Sequence, residues 1–544
     1  MFIGLGMPVP EIANIPGPSR PGYGAKDPRL TTVWRTTTAN ETVTIPFQYQ
    51  GHSSSTISQA INFDIDWGDG NSQSYQAAAI NQSFIQHTYA NAGDYEVKIK
   101  GRCSGLFMGS SYGGNDATNR NRLIEVKNWG DTKITGLTYM LAYCENVVVT
   151  ATDSPTRLPS GTPGARYYTQ ARRLFYNCHS IINLDISMWD PTLWDDINYM
   201  YEMCARIRNC EELKLPSGIS VNAGNLQYCF YHVGYDSSEG CTIEWNDFTN
   251  SHNSQNFGYF MSGCRVKGTC KFNDWTIKTI TNTTYMMSAQ VGTDEDAKLE
   301  LKNWSTTGNG FTIMANFMRG GRFGYLDISG WEANMTENAA IWSYFAYSQR
   351  GIKQIKGLNN LKLNGCTSAV YLLYNNRKLL FGPPGSDTNF ASDAIDNSVG
   401  TNVRFDNSFY CNSKDGDDGD HTNAYPPNMT NWNMSRFGNF QGMFYGAQYN
   451  SGIDISNWDM SGATSITNMF YNFCQISRPT GTITTQFNNL SSNLTTIANC
   501  WRGSAVTNVI FNSNCDLSGV VSFSHSTYYP NNWRGNIFSL VFDS

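Results

Sequence analysis

Charged side chains are scarce in this chain. Only 15% of its 544 residues are Asp, Glu, Lys or Arg, and the net charge is −6. Without a basic excess it lacks the electrostatic footprint of phosphate-backbone binding, so nucleic acid is not expected as a partner. Long apolar runs are missing too. None approaches the roughly 18 residues of a membrane-spanning helix, and no membrane insertion is expected. The start, Met1-Phe2-Ile3-Gly4-Leu5-Gly6-Met7-Pro8, has no basic n-region and no full-length apolar stretch. No secretory signal is expected there, and the chain is expected to fold where it is made.

Catalytic signatures are equally sparse. There is no HExxH pair, GxSxG elbow, Walker A loop or GxGxxG following a strand. The seven histidines fall in no zinc spacing, and Cys229-Phe-Tyr-His232 is a lone CxxH. Nothing singles out a glycosidase pair among the 44 acidic residues. These absences predict a non-enzymatic protein with no cofactor.

What the chain has is a repeat. A tryptophan recurs with a bulky apolar residue eleven positions later: Trp129 and Met140, Trp189 and Met200, Trp275 and Met286. Trp331 and Trp342, Trp432 and Met443, and Trp458 and Met469 continue the register. A fixed internal register marks a repeat protein. Short alternating strands precede the anchors, as in Leu184-Asp-Ile186-Ser-Met-Trp189 and Ile453-Asp-Ile455-Ser-Asn-Trp458. Period-two alternation points the apolar pair inward and the residue between them outward. Turn-forming residues follow, then a clustered apolar segment such as Met443-Phe-Tyr-Gly446, whose length suits one helical turn. The anchors are expected to pack in a core and not to form an aromatic carbohydrate row. Of the 14 cysteines, Cys144, Cys178, Cys204 and Cys474 each follow such a cluster, as in Met140-Leu-Ala-Tyr-Cys144, and the cysteines are expected to be reduced and buried.

Three regions follow. Residues 1–30 are rich in Pro and Gly and are expected to form an extended docking arm. Residues 31–102 carry alternating strands and the tight turn Gly68-Asp69-Gly70, which predict a small β-sandwich. Residues 103–544 hold the repeats. At a period near 28 residues they predict about 15 or 16 coils, and at about 4.8 Å per strand a stack roughly 70–75 Å long.

Three resemblances attach to these regions. Trp67-Gly-Asp-Gly70 with His87-Thr-Tyr89 and Gly93-Asp-Tyr95-Glu-Val97 resembles the PKD family of Ig-like domains. That resemblance implies a spacer or interaction module, with His87 a structural turn residue. Ile453-Asp-Ile-Ser-Asn-Trp-Asp-Met-Ser461 and Asn431-Trp-Asn-Met-Ser435, each followed by its Met-Phe-Tyr segment, resemble BspA-type leucine-rich repeats of bacterial surface proteins. The implication is a mainly β chain, with the sandwich followed by a leucine-rich-repeat-like parallel β-solenoid that has strands on one face and short irregular or helical turns on the other. The arm Val9-Pro-Glu-Ile-Ala-Asn-Ile-Pro-Gly-Pro-Ser-Arg-Pro-Gly22 is similar to the opening of structural proteins of marine tailed phages.

The candidate binding face is the set of outward strand positions: Glu125, Asp185, Glu244, Lys271, Glu300, Asp327 and Asp454, with Lys214 and Lys362. A Ca²⁺ site is a weaker candidate at Asp415, Asp417, Asp418 and Asp420. Closely spaced carboxylates suit a hard cation, but glycine falls off the EF-hand position, and a solvated loop is the plainer reading. The function expected is a bacteriophage virion structural protein, a fibre, spike or decoration subunit at the virion surface. Its arm would dock on other virion proteins in a homo-oligomeric or symmetric assembly, and its solenoid would meet a host-surface glycan or protein. A bacterial cell-surface adhesin is the alternative, and a glycan-active enzyme on a solenoid scaffold is a third.

Overall fold

The computed structural model describes residues 27–47, 62–76, 84–111, 114–134, 136–158, 170–292, 296–348, 351–396, 403–415, 420–477, 479–523 and 539–542. The chain is mainly β, and a parallel β-solenoid of about 14 turns forms most of it. The arm's residues 1–26 lie outside the described residues. Its last residues bond to the start of the solenoid: the Asp131 amide donates to the Pro28 carbonyl at 2.8 Å, and Asn128 Nδ2 donates to the Asp27 and Arg29 carbonyls.

Six strands come first: β1 (Leu30–Thr36), β2 (Glu41–Pro46), β3 (Asn62–Asp66), β4 (Ser72–Gln76), β5 (Phe84–Tyr89) and β6 (Gly93–Ser104). β2 pairs with β5, while β4, β3, β6 and β1 form a second antiparallel set. Trp34, Trp67, Tyr89, Ile45 and Ile65 are buried between them, as period-two patterning requires. Tyr89 donates its hydroxyl to the Trp67 carbonyl at 2.9 Å. His87 lies in strand β5 and not in a turn. Its ring stacks on Trp67 and its Nε2 meets Asp69 Oδ2 at 2.7 Å. Gly68 has φ +79°, and a Cβ there would sit 2.7 Å from the Glu96 carbonyl oxygen, so only glycine fits the turn. The sheet continues past residue 102: β1 pairs antiparallel with β7 (Leu123–Asn128), and β6 pairs in parallel with Lys133–Ile134.

The central coils stack a seven-stranded parallel sheet running from Asn183–Asp185 through Glu212–Lys214, Thr242–Glu244, Thr269–Lys271, Lys298–Glu300 and Tyr325–Asp327 to Gln354–Lys356. The middle residue of each strand, from Leu184 and Leu213 to Leu326 and Ile355, points into the core. A second parallel sheet, including Phe248–Asn250, Thr276–Asn282 and Ser305–Phe311, lies beyond the tryptophans. Strands on a single face were expected, so this second sheet is a correction. Phe248 and Ile277 are buried and fill the corner that the tryptophans leave. About 14 turns replace the 15 or 16 expected. Between residues 357 and 482 the strands shrink to two or three residues, as in Val403–Arg404 paired with Phe437–Asn439.

All twelve expected anchors are buried, none more than 4% exposed. The tryptophans stack from coil to coil: Trp275 on Trp304 at 4.9 Å and Trp304 on Trp331 at 5.5 Å between centroids. Each of several indoles also reaches back one coil. Trp275 Nε1 donates to the Trp245 carbonyl at 2.7 Å and Trp458 Nε1 to the Met429 carbonyl at 2.8 Å. A buried Trp usually finds a partner for its N–H, and at Trp275 and Trp458 that bond ties neighbouring coils together.

The eleven-residue spacing proves to be two slots. Most apolar turns hold two left-handed residues four apart, such as Tyr139 and Tyr143, Gly442 and Gly446, or Asn468 and Asn472, and the turn of Tyr285 holds only the first. Met140, Met286, Met443 and Met469 directly follow the first of these residues. Met200 and Trp342 instead come two positions before theirs, Glu202 and Tyr344. Positions three apart in such a tight turn share a side, so both slots face the core. The left-handed backbone costs about 1–2 kcal/mol at a non-glycine residue. It aims N–H groups at the next coil: Gly442, Phe444 and Gly446 donate to the carbonyls of Thr467, Met469 and Tyr471 at 2.7–2.9 Å.

Candidate functional site

The expected strand face forms only in part. Asp185, Lys214, Glu244, Lys271, Glu300 and Asp327 do align in one parallel ladder, and Lys356 is its seventh member. Glu125 lies on β7 in the first sheet, where it accepts from Thr150 Oγ1 at 2.6 Å. Asp454 and Lys362 lie in no strand. Asp454 instead caps a turn, accepting from the Ser456 amide and hydroxyl. The ladder largely satisfies itself. Lys271 meets Glu244 at 3.6 Å, Lys302 meets Glu300 at 2.9 Å and Lys214 meets Glu212 at 2.8 Å. Charge alternates from Asp185 to Glu300, which favours pairing between neighbouring strands, and the like charges Glu300 and Asp327 then lie side by side.

The Ca²⁺ candidate does not assemble among the described residues. Asp415 pairs with Arg377 at 2.6 Å, and Asp420 caps Thr422. Asp417 and Asp418 lie outside the described residues. Among the described residues no three His, Cys, Asp or Glu side chains gather as a metal site.

A different face carries the distinctive chemistry. The turns that hold the left-handed residues place tyrosines and arginines in columns on the outside of the solenoid. In the C-terminal half, Tyr347, Tyr374, Tyr410, Tyr445 and Tyr471 stack from coil to coil, with centroids 4.5–4.9 Å apart and planes within 2–20°. Arg502 lies over Tyr471 at one end and Arg319 over Tyr347 at the other. Arg319 also covers Tyr285, which stacks on Tyr259 and so on Tyr228. Tyr228 meets Tyr201, and Tyr201 meets Arg172, which bridges to Tyr139. Arg173 covers Tyr139 and Tyr176, Arg206 covers Tyr176, and Arg120 covers Tyr143. Every step is a ring or guanidinium contact, so a continuous spine runs from Arg120 to Arg502.

The spine's groups are electrostatically distinct. Arg173 Nε donates to Glu202 Oε2 at 2.5 Å and its Nη1 to the Tyr143 hydroxyl at 3.1 Å. Burial opposes charge on Arg173, but the Glu202 carboxylate outweighs it and raises the guanidinium above its ordinary value. Burial raises the phenols of Tyr374, Tyr410 and Tyr445, which therefore remain protonated at neutral pH. His232, stacked on Tyr231, is lowered by burial and then by Arg206 and Arg208, which favours its neutral form. Tyr347, Tyr374, Tyr410, Tyr445 and Tyr471 are half-buried with their faces covering one another, whereas Tyr139 and Tyr176 are buried.

Sequence reasoning missed this face because it assigned the Met-Phe-Tyr segments to the core. The available signal was the tyrosine after each phenylalanine, as in Phe444-Tyr445 and Phe470-Tyr471, where a buried and a half-exposed ring alternate. Fold and site together define a parallel β-solenoid that presents long, open side-chain ladders. The family described as "Mycoplasma protein of unknown function, DUF285" matches residues 420–509, a minority of the chain that includes the coils of Trp432 and Trp458. No curated protein and no solved structure matches the chain.

Proposed function

We propose that this chain is a non-enzymatic structural subunit of a bacteriophage particle, a fibre, spike or decoration protein that displays the solenoid as an adhesion surface. The observation that carries this reading is the arrangement of its chemistry. The interior is a continuous apolar stack, and the ordered polar and aromatic groups lie along open faces that span many coils. Solenoids of this kind offer extended contact surfaces for a partner. The Pro/Gly-rich arm is the segment that would dock on other virion proteins, and a host-surface glycan or protein is the partner for the solenoid. A second reading is a bacterial cell-surface adhesin, with which the match of residues 420–509 to a mycoplasma family of unknown function is compatible.

Immunogold imaging with an antibody against the solenoid separates the two. Labelling of purified particles supports the virion reading. Labelling confined to the surface of intact bacterial cells replaces it with the adhesin.

A further inference from the structure

We infer that the arginine–tyrosine spine is a binding strip for a linear polysaccharide carrying carboxylates along its length. This deepens the display reading and rests on it only for where the strip is presented.

The argument for an anion begins with the arginines. Arg172 lies against Tyr139 and Tyr201 at 5.5 and 5.7 Å, and Arg206 lies against Tyr176 at 5.6 Å. Neither makes an ion pair among the described residues, and Arg172 Nε is buried without a hydrogen-bond partner. The carboxylate beside them, Glu202, is already committed to Arg173. In a chain of net charge −6, this collects uncompensated cations on one strip. Stacking on a ring fixes the guanidinium plane, and the exposed Arg206 keeps its N–H fork open, the geometry that matches a carboxylate. The seven-stranded ladder is a poorer candidate, because its lysines Lys214, Lys271 and Lys356 already meet carboxylates.

The argument for a linear polymer is the layout. Cations stand at the first coils, at Arg319 and at Arg502. Arg173 and Arg319 are separated by roughly five coils and Arg319 and Arg502 by roughly six, about 24 and 29 Å at about 4.8 Å per coil. Between the last two, five stacked tyrosines form a row of half-buried phenols. A small anion would use one station, whereas a chain lying along the axis reaches all three.

The argument for a sugar is the ring geometry. Binding of single-stranded nucleic acid relies on free aromatic faces for bases to stack on. Here neighbouring rings cover those faces, with planes as close as 2° to parallel at 4.6 Å. With the faces covered, these half-buried rings offer their hydroxyls, and a phenol hydroxyl donates to and accepts from sugar hydroxyls.

The test measures binding of the full chain to polygalacturonate, alginate and hyaluronate, with dextran and single-stranded DNA of matched length as comparators. At least one acidic polysaccharide binds, and binding weakens as salt rises. Arg172→Gln combined with Arg206→Gln lowers that affinity about tenfold or more, as expected for losing charge-assisted hydrogen bonds. Lys271→Gln, on the strand ladder, leaves it unchanged. Thermal unfolding checks that the variants are folded, and Arg206→Gln alone serves if the double variant melts early, because Arg206 is exposed. The inference is overturned if none of the three acidic polysaccharides binds, if the arginine variants bind like the parent, or if dextran or DNA binds as tightly. Absence of the protein from both particles and cell surfaces would defeat the display reading and leave a positive binding result standing. Loss of binding alone, with the protein on the particle, would defeat only the strip.

Discussion

Trp275→Ala is the most informative perturbation of the fold. Trp275 is fully buried, stacks on Trp304 at 4.9 Å and 7°, and touches Trp245, Phe248 and Phe272 within 5.6 Å between centroids. Truncating a buried aromatic of this size costs about 3–5 kcal/mol, because the rings around it cannot collapse into the space. The Trp245 carbonyl also loses the indole N–H that bonds it at 2.7 Å, adding about 1 kcal/mol. Trp275→Phe keeps most of the ring and loses the hydrogen bond, so about 1–2 kcal/mol is expected. A single unfolding free energy is a poor readout for a long repeat array. Hydrogen exchange read peptide by peptide reports local opening instead. Coils contact only their neighbours, so deprotection in Trp275→Ala should be largest in the coils containing Trp245, Trp275 and Trp304 and should be absent near Trp458. A loss below about 1 kcal/mol, or deprotection spread evenly to the Trp458 coil, would refute the account of the indole as a coil-to-coil tie.

Three further outcomes follow from the same geometry. All fourteen cysteines are free and all but Cys515 are buried, so native-state maleimide labelling counted by mass spectrometry should modify Cys515 well before any other thiol. Burial pushes the Cys270, Cys366 and Cys474 thiols up to about 12 from an ordinary value of 9.0. A raised folded value gives stability that is complete below pH 9 and lost as pH climbs toward 12. The melting temperature should therefore fall across that window, and a flat profile would contradict the buried thiol stack. Asp454→Ala removes only a turn cap at an exposed position, so circular dichroism should show an intact fold and a loss under about 1 kcal/mol. A cooperative collapse of the C-terminal coils would show that the turn matters more than its hydrogen bonds imply.

Much of the fold could be read from local pattern. Leu184 with Ile186, and Leu326 with Ile328, alternate with polar neighbours, and both pairs are buried. The recurring Trp and Met are buried without exception among the twelve anchors. Pattern failed where backbone conformation outweighs hydrophobicity. Ile453-Asp-Ile455 alternates like a strand but forms none, and the pairing falls instead on Asp459–Met460. The single eleven-residue register concealed two slots, because a left-handed turn can present either of two positions three apart to the core.

The sequence by itself determined the repeat, the buried anchors, the reduced cysteines' positions and the polarity of the strand faces. Each follows from the period of side chains along one coil. Only the tertiary structure decided which side chains become neighbours between coils. Tyr374, Tyr410, Tyr445 and Tyr471 are separated by unequal lengths of chain, yet their rings lie 4.5–4.6 Å apart. Insertions loop out while the turn backbone stays in hydrogen-bonded register, so stacking converts irregular sequence spacing into a regular surface. The spine is therefore a property of the stacked coils, and no single coil contains it.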